Sequence, residues 1–174
     1  MTKDGVLIVN HDQCLKDSTD AVLFDSLWKN RQKTTVFSNG NTCTKDYIIP
    51  EFTLAEIKQV KRKQRFEYRS TSSDGLFTIP TFEEAIQFMQ MMKQNYTRKV
   101  GAKSQPGLYI EIKEPVWYQQ SYGVDTTQAI FDVLAKYNLE TIEKATDAGI
   151  PIIIQSFSEE ALRHFATLSD LPLI

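Results

Sequence analysis

The sequence predicts an α/β fold in which parallel strands are covered on their outer faces by helices. Three observations predict it: short apolar, β-branched runs recur along the chain, turn residues flank them, and helical periodicity follows. With 41% hydrophobic and 24% charged residues over 174 positions, the composition is that of a globular chain long enough to bury a core. The formal charge of −2, with acids and bases interspersed, supplies no overall field for attracting nucleic acid, so any phosphate group has to be met locally. No apolar run is long enough to cross a bilayer. The stretch near Met1 is too short for a signal peptide and ends at His11-Asp12.

Gly5 to Asn10 is a compact apolar run introduced by the turn signal Asp4-Gly5, and it reads as a buried strand. Leu108 to Lys113 alternates strictly, and Ile150 to Gln155 is a third short apolar run. These three strands are expected to be parallel and contiguous. Helix starts are equally local: Thr53-Leu54-Ala55-Glu56 and Thr81-Phe82-Glu83-Glu84 are capping-box patterns. The second opens an apolar face of Phe82, Ala85, Ile86 and Met89. Thr127 to Tyr137 carries Ile130, Phe131, Leu134 and Tyr137 at helical spacing, and Ser158 opens another helix after the third strand.

Residues from about 14 to 80 break the rhythm, with polar turns at Ser38 to Asn41 and Ser70 to Gly75. So long a stretch between core elements predicts an inserted subdomain rather than a structureless loop. Its basic run, Lys58 to Arg65, reads as a solvated helix face. Cys14 and Cys43 could pair in an oxidising compartment, but read more readily as two unpaired residues. Asn95-Tyr96-Thr97 matches a glycosylation acceptor, which matters only in a secreted chain. Leu171 to Ile174 looks like the beginning of a further strand, and the opening turn lacks its incoming strand. The sequence is therefore expected to be truncated at both ends.

Histidine occurs twice. His164 lies in a charged helix, where solvent exposure is the plain reading. His11 ends an apolar strand, and in parallel α/β architectures strand C-terminal ends face the active site. From position alone, function and a hydrogen-bonded structural role are evenly matched for His11. Period two places Tyr109, Glu111 and Lys113 on one face of their strand and Leu108, Ile110 and Ile112 on the other. Two opposite charges facing the interior of a barrel need a partner or a metal, so Glu111 and Lys113 are either a salt bridge or a site.

At these residues the sequence resembles the glycerophosphodiester phosphodiesterases. Thr2 to Asp12 is similar to the family's "TKDG…v.HD" segment, Glu111-Ile112-Lys113 to its "EIK" strand, Gln155-Ser156-Phe157 to its "QSF" strand, and Pro80 to Glu84 to its "PTFEE" helix start. The region Phe52 to Gln64, followed by Phe77 to Thr81, further resembles the periplasmic-bacterial and plant-type branch. The resemblance implies a partial TIM-type (β/α) barrel of the PLC-like phosphodiesterase kind, with the insert of about residues 14–80 after its first strand. It implies hydrolysis of glycerophosphodiesters to glycerol 3-phosphate and an alcohol with a divalent cation, Ca2+ or Mg2+. It assigns His11 as general acid, Glu111 as metal ligand and Lys113 as the contact to phosphate or glycerol. A secreted, periplasmic or secretory-pathway location is suggested by the resemblance alone.

The family also carries a His-Arg motif and a Glu-x-Asp motif before "TKDG", which have no counterpart here. The chain is thus expected to be an interior fragment, inactive alone, because one carboxylate seldom holds such a cation. The alternatives are a catalytically dead interaction module descended from the family and, more weakly, another PLC-like phosphodiesterase acting on lipid head groups.

Overall fold

The computed structural model describes residues 1–28, 30–100 and 106–174, the last five before the second break through their backbone only. They form two compact units, Met1–Phe82 and Glu83–Ile174.

The first unit is built around an aromatic and aliphatic core of Leu15, Ala21, Trp28, Tyr47, Ile49, Phe52, Ile57, Val60 and Ile79. Trp28 packs on Phe52 at 4.4 Å between ring centroids, and Phe24 stacks on Trp28 at 5.1 Å. Strands β1 (Lys33–Val36) and β2 (Thr42–Asp46) form an antiparallel hairpin. Its turn is the polar Ser38 to Asn41 stretch, where Gly40 takes a φ of +83° that side-chain-bearing residues rarely adopt. Helix α1 (Leu54–Ile57) starts at the anticipated capping box: Thr53 Oγ1 accepts from the Glu56 N–H, and Glu56 accepts from the Thr53 N–H at 2.9 Å.

That helix stops after one turn, so the basic run is not helical. Val60 is fully buried, the Lys61 N–H donates to Asp20 Oδ1 at 2.7 Å, and the Arg62 N–H donates to the Phe77 carbonyl at 2.7 Å. These bonds take donors that a helix would need for itself. Isolated antiparallel bridges Thr19↔Arg62 and Lys61↔Thr78 result.

Gly5 to Asn10 also departs from expectation. Among the described residues it forms no strand, only a single antiparallel bridge, Ile8↔Thr81, flanked by Val9 N–H to Pro80 O and Phe82 N–H to Leu7 O. Its backbone is spent on the approach to the next helix, and Val9 stays 45% exposed. Cys14 and Cys43 are joined in a disulfide, with Cα atoms 6.1 Å apart, correcting the reading as two unpaired cysteines. Bonds of Leu15 N–H to Tyr47 O and Ile49 N–H to Gln13 O lay Gln13 to Leu15 beside the chain leaving β2, which brings the sulfurs together.

The second unit starts within α2 (Phe82–Val100), whose Phe82 and Ile86 are buried while Ala85 and Met89 are half-buried. The side chains of Tyr96 and Thr97 in the glycosylation triplet lie outside the described residues. Strand β3 (Leu108–Glu111) pairs in parallel with β4 (Ile152–Gln155), in register from Leu108↔Ile152 to Glu111↔Gln155. The two backbones approach closely at Gly107, where a Cβ would collide with the Pro151 carbonyl oxygen. Leu173 forms an isolated parallel bridge with Ile154 on the other side of β4.

Between the strands run α3 (Pro115–Tyr122), α4 (Thr126–Lys136) and α5 (Ile142–Ala148), and α6 (Glu159–Leu168) follows β4. Helices α4 and α6 pack together through Phe131 and Phe165, over a core that includes Ile130, Leu134, Ile152 and Ile154. Ser158 caps α6 by accepting from the Ala161 N–H, as its position predicts. No helix among the described residues is long and apolar enough to cross a membrane.

Candidate catalytic site

In the first unit, the bridge at Ile8 carries the chain outward so that the His11 side chain is 66% exposed. Its Nδ1 lies 2.7 Å from Asp12 Oδ1, and Asp12 Oδ2 receives Arg65 Nη1 at 2.5 Å. One residue earlier, Asn10 Nδ2 donates to the Asp12 carbonyl at 2.5 Å, and Asn10 Oδ1 accepts from Arg62 Nη1 at 2.9 Å. The chain after Asp12 is pinned by Asp46, whose carboxylate accepts from the N–H groups of Lys16, Tyr47 and Leu15. Burial pushes the Asp46 carboxyl above its ordinary range despite those donors.

In the second unit, Glu111 and Lys113 sit at the C-terminal end of β3, each about a quarter exposed, and form an ion pair of 2.7 Å. The neighbouring Ile112 is buried, as alternation predicts, while Tyr109, placed on the face of Glu111, is 61% exposed. Ser156 locks the register there: its Oγ donates to the Ile112 carbonyl at 2.9 Å while the Ile112 N–H donates to Gln155 O at 2.8 Å. The pair is charge-compensated, which makes its partial burial affordable. His164 sits on α6, half exposed, 3.4 Å from Asp125.

A divalent cation does not fit these residues by themselves. No three His, Cys, Asp or Glu side chains converge among the described residues. Glu111 offers a single carboxylate, already opposite an ammonium, where calcium takes six to eight oxygens and magnesium an octahedron. Sequence reasoning placed Arg62 and Arg65 on a solvated helix face, because the groups they bind, Asn10 and Asp12, lie more than fifty residues away.

The second unit is of the α/β class, with β3 and β4 parallel and helices between them, and comparison with known proteins makes the family specific. The sequence matches the glycerophosphoryl diester phosphodiesterase family over residues 1–174, and the chain belongs to that family. It is 32% identical to a glycerophosphodiester phosphodiesterase of Arabidopsis thaliana, over 98% of this chain and 44% of that protein. A glycerophosphodiester phosphodiesterase of Haemophilus influenzae is 30% identical over 96% of this chain and 42% of its own length. A crystal structure from Silicibacter pomeroyi assigned to the glycerophosphoryl diester phosphodiesterases superposes with a TM-score of 0.56, at 20% identity, over 99% of this chain and 51% of that one. The chain thus spans about half the length of the relatives it matches.

Proposed function

We propose that the protein carrying this chain hydrolyses glycerophosphodiesters to glycerol 3-phosphate and an alcohol, in glycerol and lipid metabolism. The observation that carries the reading is the family match over every residue, which takes in the segments bearing His11, Glu111 and Lys113. In this reading the scaffold is a TIM-type barrel. Residues of about 14–80 are an insert in it, and His11, Glu111 and Lys113 are its site residues, each borne at or just after an apolar run where such a barrel carries its chemistry.

His11 protonates the departing alcohol, a role that suits an exposed imidazole anchored by one nitrogen. Lys113 faces the phosphate or the glycerol hydroxyls. Glu111 would offer one carboxylate to a calcium or magnesium ion, and the chemistry such an ion would supply is neutralisation of charge on a phosphodiester.

The test is release of glycerol 3-phosphate from glycerophosphocholine by the full-length protein with added calcium or magnesium. His11→Ala is expected to lower kcat by about a hundred- to ten-thousand-fold, the usual worth of a general acid. An undiminished His11→Ala enzyme removes the role given to that histidine. Absence of any turnover by the unaltered full-length protein with either metal removes the function.

A further inference from the structure

The basic run that reads as a solvated surface turns out to grip the two residues flanking His11. Arg65 Nη1 binds Asp12 Oδ2 at 2.5 Å, and Arg62 Nη1 binds Asn10 Oδ1 at 2.9 Å. Both arginines are themselves held. The Arg65 guanidinium lies over the Phe66 ring at 4.7 Å, and the Arg62 backbone is fixed on both sides, by its N–H to Phe77 O and by the Gly75 N–H to its own carbonyl. Asn10 closes the circuit by donating to the Asp12 carbonyl at 2.5 Å.

We propose that Arg65, supported by Arg62, is a positioning residue that fixes the tautomer and orientation of His11 through Asp12. An ionised carboxylate accepts hydrogen bonds and cannot donate them. The 2.7 Å approach of Asp12 Oδ1 to His11 Nδ1 is therefore favourable only when Nδ1 carries a hydrogen; with a bare Nδ1, two acceptors would face each other. The neutral ring then presents its lone pair at Nε2, and the protonated ring presents its transferable proton at the same atom. Asp12 alone is a weak device for this, since a short carboxylate beside an exposed ring can rotate toward water. The permanent cation of Arg65 on its second oxygen holds it in the plane that serves Nδ1. Arg62 does the corresponding work on the backbone, through Asn10. The segment Lys58 to Arg65 thus sets the chemistry of a residue far from it in sequence.

The kinetic part of this proposal rests on His11 being the general acid; the tautomer part does not. The experiment therefore reads both, in the full-length protein. Nitrogen-15 NMR of the imidazole, assigned with His11→Ala and recorded where the ring is neutral, is expected to show Nδ1–H as the dominant form. Arg65→Ala is expected to move the population toward Nε2–H and to lower kcat for glycerophosphocholine by about ten- to a hundredfold with KM little changed, the usual effect of losing an outer orienting partner. Arg65→Lys keeps the charge and is expected to recover part of both. Asp12→Asn supplies a second handle should the arginine variant fail to fold: its amide can turn an N–H toward Nδ1 and select the opposite tautomer. An Nδ1–H population that stays the same in Arg65→Ala and in Asp12→Asn overturns the proposal. Full activity in His11→Ala removes the catalytic reading and the kinetic half with it, while the tautomer comparison still decides the clamp.

Discussion

Glu56 shows how local and distant partners divide a single carboxylate. It accepts from Arg31 Nη1 at 2.5 Å and from the Thr53 N–H and hydroxyl at 2.9 and 3.1 Å, and the Arg31 guanidinium, before the threonine, pulls its pKa down from the ordinary 4.5 to about 2. The folded-state pKa is depressed, so the stabilisation is fully present above the ordinary carboxylate range and is lost as pH falls from 4.5 toward about 2. With the side chain 28% exposed, solvent screening reduces the contribution to on the order of 1–2 kcal/mol. Urea unfolding of the unaltered chain and of Glu56→Gln should therefore differ near neutrality and converge in acid. A stability gap that stays constant with pH would remove the linkage. Half of this was legible in the sequence: Thr53 and Glu56 are three apart, and a capping box needs no other information. Arg31 was not legible, because nothing in a one-dimensional pattern brings it to Glu56. The same holds at the candidate site, where the position of His11 left function and structure evenly matched, and the structure supplied Asp12 as its partner and Arg65 as the partner of Asp12.

At the scale of elements, helices with their own stop and start chemistry were the most readable. Helix α4 runs from Thr126 to Lys136, one residue earlier at each end than the Thr127 to Tyr137 that periodicity predicts, and α6 begins after the Ser158 cap. The parallel pairing of β3 with β4 followed from strand–helix alternation, since a helical crossover between adjacent strands leaves them parallel. Two elements were misread for one reason, competition for backbone hydrogen bonds. Gly5 to Asn10 has the composition of a buried strand but spends its N–H and C=O groups on Pro80 and Phe82, and the Lys58 to Arg65 run gives donors to Asp20 and Phe77 instead of extending α1. The Cys14–Cys43 disulfide, with a sequence separation of 29, ties the segment after His11 to β2. Closing a loop of that length stabilises by about 2–4 kcal/mol. Paired Cys14→Ser and Cys43→Ser substitutions are expected to lower the unfolding free energy in urea by that amount. An unchanged midpoint would mean the bridge contributes nothing to the fold.

For the molecule as a whole, the governing fact is that the chain covers 44% of its Arabidopsis thaliana relative and contributes, among the described residues, no cluster able to hold a cation. This 174-residue chain by itself is therefore expected to release no appreciable glycerol 3-phosphate from glycerophosphocholine with calcium or magnesium added. In the proposed reading Glu111 would offer such an ion a single carboxylate, which would leave it coordinated mostly by water. Robust metal-dependent turnover by the chain alone would overturn that view of the site. What the sequence by itself determined was the α/β class, the caps at Thr53 and Ser158, the alternation that puts Glu111 and Lys113 on one face, and the family, because each of these is carried by residues within a few positions of one another. Only the tertiary structure decided the Glu111–Lys113 ion pair, the disulfide, the end of α1 at Ile57 and the grip of Arg62 and Arg65 on the residues around His11. Hydrogen-bond direction, charge pairing and sulfur contact depend on distances in space, and segments separated by tens of residues acquire those distances only when a shared core has brought them together.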